Sequence, residues 1–218
     1  MTYTVSRTIA DETLSRIIQI ESAGNPNVKA PTSSALGLGQ FIAATWLDIV
    51  ARHRPDLMAG RGRADVLALR TDPPLAVEML ARLTEDNAKA LGAGYTDADL
   101  YLAHFAGVAS ARRVLSADAE TAVATIFSSA AINANPSILR GKTCGELRAW
   151  AAAKMAKAGG RDWVGRWHPV GKRGVGASKI PDRPGAPAKA PESAVILNSV
   201  VSVVATLVLL LLGWLAQD

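Results

Sequence analysis

The run from Ala194 to Ala216, AVILNSVVSVVATLVLLLLGWLA, most constrains this chain, because its 23 consecutive residues carry no formal charge. A helix of that length, rising about 1.5 Å per residue, crosses a hydrocarbon core of roughly 30 Å. Trp214 falls near one end, where an interfacial aromatic belongs, and Asn198 and Ser199 weaken the first turn without adding charge. The expectation is a C-terminal transmembrane helix over residues 194–216. Before it, residues 169–193 (PVGKRGVGASKIPDRPGAPAKAPES) are rich in Pro, Gly, Ala and Lys and almost lack large apolar side chains. That is the composition of a flexible linker. Residues 1–168 remain as the one segment able to bury a core.

Charge divides the chain at an earlier point, inside the domain's C-terminal edge. Residues 1–139 hold 12 Lys/Arg and 14 Asp/Glu, a net of −2. Residues 140–192 hold 12 basic residues against Glu146, Asp162, Asp182 and Glu192, a net of +8. With Asp218 the chain reaches +5. A basic stretch beside an apolar span suits an anionic membrane surface. It lacks the aromatic–basic pattern and the finger spacing of nucleic-acid binders, so nucleic acid is not an expected partner. A single cysteine, Cys144, excludes a disulfide framework and a cysteine-based zinc site, and His53, His104 and His168 are isolated. Neither metal nor other cofactor is expected.

The first 168 residues predict a mainly α-helical domain. Asp72 precedes Pro73 and Pro74, which suit a first helical turn, and Leu75, Met79, Leu80 and Leu83 follow at helical spacing. Thr96 with Asp99 caps a segment running through Phe105. Thr143 with Glu146 forms a capping box before LRAWAAAKMAKA, which Gly159–Gly160 stops. No run alternates with period two for long, so a sizeable sheet is not expected.

A first helix over roughly Asp11–Ser22 places Leu14, Ile17 and Ile18 on one face, and the next position of that stripe is Glu21. A carboxyl on an apolar face is costly unless it is paired or its pKa rises, and a raised pKa is what a general acid needs near neutral pH. After a helix stop at Ala23-Gly24-Asn25-Pro26 comes the Ser/Ala/Gly-rich segment Ser33-Ser34-Ala35-Leu36-Gly37-Leu38-Gly39-Gln40-Phe41. Small residues let a backbone approach a ligand, and Gln40 offers a donor and an acceptor to sugar hydroxyls or amides.

These residues resemble the lytic transglycosylase domain of the soluble lytic transglycosylase type, a relative of goose-type lysozyme. The family signature is Glu-Ser, then a Gly-Leu-x-Gln segment about eighteen residues on, and a Thr shortly after. Glu21-Ser22, Gly37-Leu38-Gly39-Gln40 and Thr45 match its order and spacing. The third family block, Ala-Tyr-Asn-Ala-Gly, is met by Ala103-His104-Phe105-Ala106-Gly107, with His104 for Tyr and Phe105 for Asn. The resemblance spans roughly residues 7–155, and its variant third block is similar to proteins of alphaproteobacteria and their phages.

The resemblance implies a lysozyme-like fold and cleavage of peptidoglycan between N-acetylmuramic acid and N-acetylglucosamine. Glu21 would be the single acid/base, closing a 1,6-anhydro ring without water. Ser22, Gln40, Thr45, Tyr101 and His104 would be the substrate-binding residues. A conventional glycosidase uses two carboxylates, for which Asp48 and Asp97 are the candidates. Trp163 and Trp167, beside Arg161 and Arg166, could stack on sugars, pack the domain edge or dock at a membrane interface. A hydrolytic muramidase on the same fold and a non-catalytic wall-binding or virion structural protein are the alternative functions.

Expected partners are peptidoglycan glycan strands, the inner membrane through the apolar span, and a holin or virion assembly. The expected location is a single-pass inner-membrane protein acting on periplasmic peptidoglycan. The opening MTYTVSRTIADETLSRIIQ has no secretory h-region, and Lys172, Arg173, Lys179, Arg183 and Lys189 precede the span. Both features leave the domain on the cytoplasmic side. Three routes to the wall stay open: a phage endolysin released through a holin-type lesion, insertion with the domain outward, or carriage in a virion or secretion assembly.

Overall fold

The computed structural model describes residues 9–168. The linker and transmembrane helix expected over 169–193 and 194–216 lie outside the described residues. Among the described residues no helix is long and apolar enough to cross a membrane.

The domain is mainly helical, and its helices begin where local chemistry asks them to. Helix α1 (Asp11–Ser22) buries Leu14, Ile17, Ile18 and Glu21, the stripe read from the sequence. Helices α2 (Ala43–His53) and α3 (Arg63–Ala68) follow. Helix α4 (Pro73–Leu91) is the longest: the Asp72 side chain accepts from the Leu75 N–H, and the two prolines occupy positions that need no intrahelical donor. Helix α5 (Asp97–Ala106) opens with the Thr96–Asp99 capping box. Helices α6 (Val108–Ser116), α7 (Ser129–Ala134) and α8 (Pro136–Leu139) lead to α9 (Cys144–Lys157), opened by the Thr143–Glu146 box. A short α10 (Trp163–Trp167) ends the described fold, with Asp162 accepting from the Gly165 N–H. β-structure among the described residues is confined to isolated bridges, two of them within Lys29–Phe41.

One core gathers these helices. Leu14, Ile17 and Ile18 of α1, Trp46 and Ile49 of α2, Met79 and Leu80 of α4, Leu100 and Leu102 of α5 are all fully buried in it. Leu75 and Leu83 pack against it only partly buried. The Trp46 indole N–H reaches the Val66 carbonyl at 2.7 Å, so the largest core side chain keeps its polar edge satisfied. Helix α5 packs most extensively on α6 and α9, where Trp150 lies 5.6 Å from the Tyr101 ring and 4.9 Å from that of Phe105. Phe105 stands where the family block usually has Asn; here it is an apolar core side chain held by Trp150.

Candidate active site

The site is built around the end of α1. Glu21 occupies the last buried position of the stripe, and its side chain has no solvent exposure. The helix stops two residues later, with Ala23 at φ 49° and Gly24 at φ 76°. A Cβ on Gly24 would lie 2.3 Å from the Trp163 ring, so only glycine lets α10 close over this turn. The Trp163 indole N–H donates to Gln19 Oε1 at 2.9 Å and the Trp167 indole N–H to the Gly24 carbonyl at 3.2 Å. The Val164 N–H donates to Ser15 Oγ at 3.1 Å. Of the roles open to Trp163 and Trp167, the structure shows edge packing: they pin the C-terminal end of the helix that carries Glu21.

A second wall is the segment Ser33–Phe41, held by side chains rather than by a sheet. Ser22 Oγ lies 2.9 Å from the Leu38 carbonyl and 3.1 Å from that of Ile18, tying this loop to α1. The Gln40 amide nitrogen donates to the Val28 and Gly37 carbonyls at 2.9 and 3.0 Å, while its own backbone sits at φ 46°, a costly conformation for a non-glycine residue. Gln40 therefore directs its donors into the loop. Ser34 Oγ accepts from the Ala43 N–H at 3.0 Å, joining the loop to the start of α2, where Thr45 sits half-buried in the first turn.

Arg70, which the sequence reading did not single out, anchors the same loop. Its guanidinium donates to the Ser34 carbonyl, to the Phe41 carbonyl at 3.0 Å and to the Leu67 carbonyl at 3.0 Å. A Cβ on Gly37 would meet the backbone carbonyl oxygen of Arg70 at 2.2 Å, so only glycine lets the loop lie against this turn. Burial pushes the Arg70 pKa down from its usual value. No local spacing announces such a residue; it lies 29 and 36 positions from the Phe41 and Ser34 carbonyls it holds.

Helix α5 supplies the third wall. Tyr101 and His104 are one turn apart and share a face. His104, with a side chain 5% exposed, places Nε2 3.1 Å from the Gly39 carbonyl and 3.8 Å from Glu21 Oε1. A carbonyl only accepts, so Nε2 carries the hydrogen and Nδ1 is a lone-pair acceptor. Tyr101 is fully buried against Trp150. Neither Asp48 nor Asp97 joins them. Asp48 is bound by Arg52 on an exposed face of α2, and Asp97 is an exposed residue in the first turn of α5. Among the described residues, no group of three His, Cys, Asp or Glu could hold a metal ion.

Burial sets the protonation states. It raises the Glu21 pKa to about 8, outweighing the opposing pull of Lys154 on α9 and of the Tyr101 phenol. It lowers the His104 pKa to about 4 against the opposing bond to Gly39. It also lifts Tyr101 well above the usual phenol value, with the Glu21 charge adding to the effect. At neutral pH the chamber therefore holds a protonated acid beside a neutral imidazole. No hydrogen bond joins Tyr101 Oη to Glu21 at rest, although the phenol is close enough to act on the acid's charge. A dry carboxylic acid that keeps its proton near neutral pH can protonate a leaving oxygen.

Residues 2–122, more than half of the chain, match the family described as Transglycosylase SLT domain. The match spans α1 to α6 and so includes Glu21, Ser22, Gln40, Thr45, Tyr101 and His104; α9 and α10, which brace the site through Trp150, Trp163 and Trp167, lie past its end. The chain belongs to this family, and it is an enzyme of the lytic transglycosylase class that acts on peptidoglycan.

Proposed function

We propose that the domain cleaves the glycosidic bond between N-acetylmuramic acid and N-acetylglucosamine by transglycosylation, with Glu21 as its only acid/base. Glu21 gives its proton to the glycosidic oxygen as the bond from that oxygen to the muramic C1 breaks. The muramic C6 oxygen then bonds to C1, and its hydroxyl proton returns to the Glu21 carboxylate. The product carries a 1,6-anhydro ring, and the acid ends as it began. One observation carries this reading: Glu21 is sealed from solvent and holds its proton to about pH 8. The placements of Asp48 and Asp97 favour it over a two-carboxylate hydrolysis. Ser22, Gln40 and His104 spend their hydrogen bonds on the Ser33–Phe41 loop, which supports a role in shaping the saccharide groove from behind.

Digestion of purified peptidoglycan with the wild-type protein and with Glu21→Gln, followed by mass analysis of the muropeptides, tests this. Anhydro-muramic ends with the wild type, and a loss of about 10²–10⁴-fold in the variant, are expected. Reducing muramic ends would make the enzyme a muramidase, and undiminished cleavage by Glu21→Gln would remove the acid from its role.

The apolar run over 194–216 and the basic stretch before it support a further part of the proposal: an inner-membrane-anchored lytic enzyme of endolysin type, with the domain cytoplasmic until a holin-type lesion admits it to the wall. Protease added to spheroplasts should leave the domain intact. Its digestion would show outward insertion instead.

A further inference from the structure

The chamber around Glu21 leaves a hydrogen-bonding need unmet. Glu21 Oε1 and Oε2, Tyr101 Oη and His104 Nδ1 are all buried and have no hydrogen-bond partner. Buried polar groups are normally paired, so four orphan atoms, two of them on the acid itself, mark a site that completes its bonds only during the reaction. The donors available there can be counted. His104 Nε2–H is already spent on the Gly39 carbonyl, and Nδ1 can only accept. Ser22 Oγ faces the Ile18 and Leu38 carbonyls. The hydroxyl of Tyr101 is the donor left over.

We propose that Tyr101 is the positioning residue that receives the Glu21 carboxylate once its proton has gone to the glycosidic oxygen. The phenol O–H turns to donate to a Glu21 oxygen, steadies the charge and fixes the carboxylate until the C6 hydroxyl returns a proton. Tyr101 keeps its own proton throughout. Trp150 of α9 holds the ring, so the Glu21 side chain closes the remaining gap to the hydroxyl. Having His104 in the place of the usual tyrosine is consistent with this division: the imidazole fastens the loop, and a phenol one turn earlier on the same face serves the acid.

Other charges near α1 are engaged differently. Lys154 on α9 acts on Glu21 by its charge alone. Arg16 of α1 is paired with Glu12 and the Met155 carbonyl, Glu85 of α4 with Arg82, and Arg166 of α10 lies over the Trp163 and Trp167 rings.

The inference rests on Glu21 being the acid/base, and Tyr101→Phe tests it, measured beside wild type and Glu21→Gln. The variant keeps the ring and removes a hydroxyl that is unpartnered in the resting protein, so folding should be preserved. We expect the kcat plateau to fall about tenfold with KM unchanged within about twofold, since the phenol touches the acid rather than the sugar. We also expect the alkaline limb of kcat/KM to move up by about one pH unit, because the carboxylate has lost its donor. An unchanged profile would overturn the proposal. So would a limb that moves down, the sign of a flooded chamber, or a raised KM at constant kcat, the sign of a direct sugar contact. Activity retained by Glu21→Gln would instead overturn the assignment of the acid itself.

Discussion

Two acid–histidine pairs in this fold behave in opposite ways. On the surface between α2 and α4, Asp86 lies 2.8 Å from His53 Nε2 and is also bound by Arg52, whose other carboxylate partner is Asp48. Asp86 keeps 23% of its side chain exposed; burial works to raise its pKa, but the hydrogen bonds from His53 and Arg52 prevail and hold it below the ordinary carboxylate value. In the chamber, Glu21 stands 3.8 Å from His104 with neither oxygen hydrogen-bonded, and burial drives the two pKa values apart to about 8 and about 4. The residue types are nearly the same. Donors and water decide the outcome: the paired surface acid is locked as an anion and is chemically idle, while the unpaired dry acid is loaded with a proton.

Removing each acid should separate the two regions most sharply in activity. Glu21→Gln should lose the 10²–10⁴-fold typical of a missing general acid, whereas Asp86→Asn should keep turnover within about twofold. Stability should divide them next, with opposite signs. Glu21 has a folded pKa raised above its unfolded one, so its favourable contribution is complete below about pH 4.5 and is lost as pH rises through about 8. Glu21→Gln should therefore match the wild type near pH 4 and exceed it by about 4 kcal/mol near pH 8, read from denaturant midpoints. A variant less stable than wild type at pH 8 would contradict the dry, unpaired state of the acid. Asp86, with a lowered folded pKa, stabilises above the ordinary carboxylate range and loses that contribution as pH falls. Asp86→Asn should cost about 0.5–1 kcal/mol at pH 7, the small value of a partly exposed ion pair, and the cost should vanish in acid.

The sequence showed the parts of this arrangement that depend on neighbours in the chain. The stripe Leu14, Ile17, Ile18, Glu21 and the caps at Asp72, Thr96 and Thr143 are local patterns, and each produced the helix it announced. Tyr101 and His104, three apart, had to share a face of α5. What joins distant segments was not legible. Nothing in the chain around Arg70 points to the carbonyls of Ser34 and Phe41, and nothing around Trp163 points to Gln19, 144 residues away. Gln40 was legible as a polar residue in a glycine-rich segment, but the direction of its amide, into the Val28 and Gly37 carbonyls, follows from a left-handed backbone turn that spacing does not encode. The proposed catalytic acid sits on a local motif; the dryness around it is assembled from afar.

That dryness is measurable at one atom. With glutamate carrying carbon-13 at Cδ, and Glu21→Gln used to assign the signal, the Glu21 carboxyl can be followed by NMR across pH 3–10. The account predicts a single Glu21 titration near pH 8, far above the ordinary glutamate value of about 4.3. A Glu21 signal that titrates near that ordinary value would mean that the acid is ionised at rest, contradicting its proposed role as the loaded proton donor.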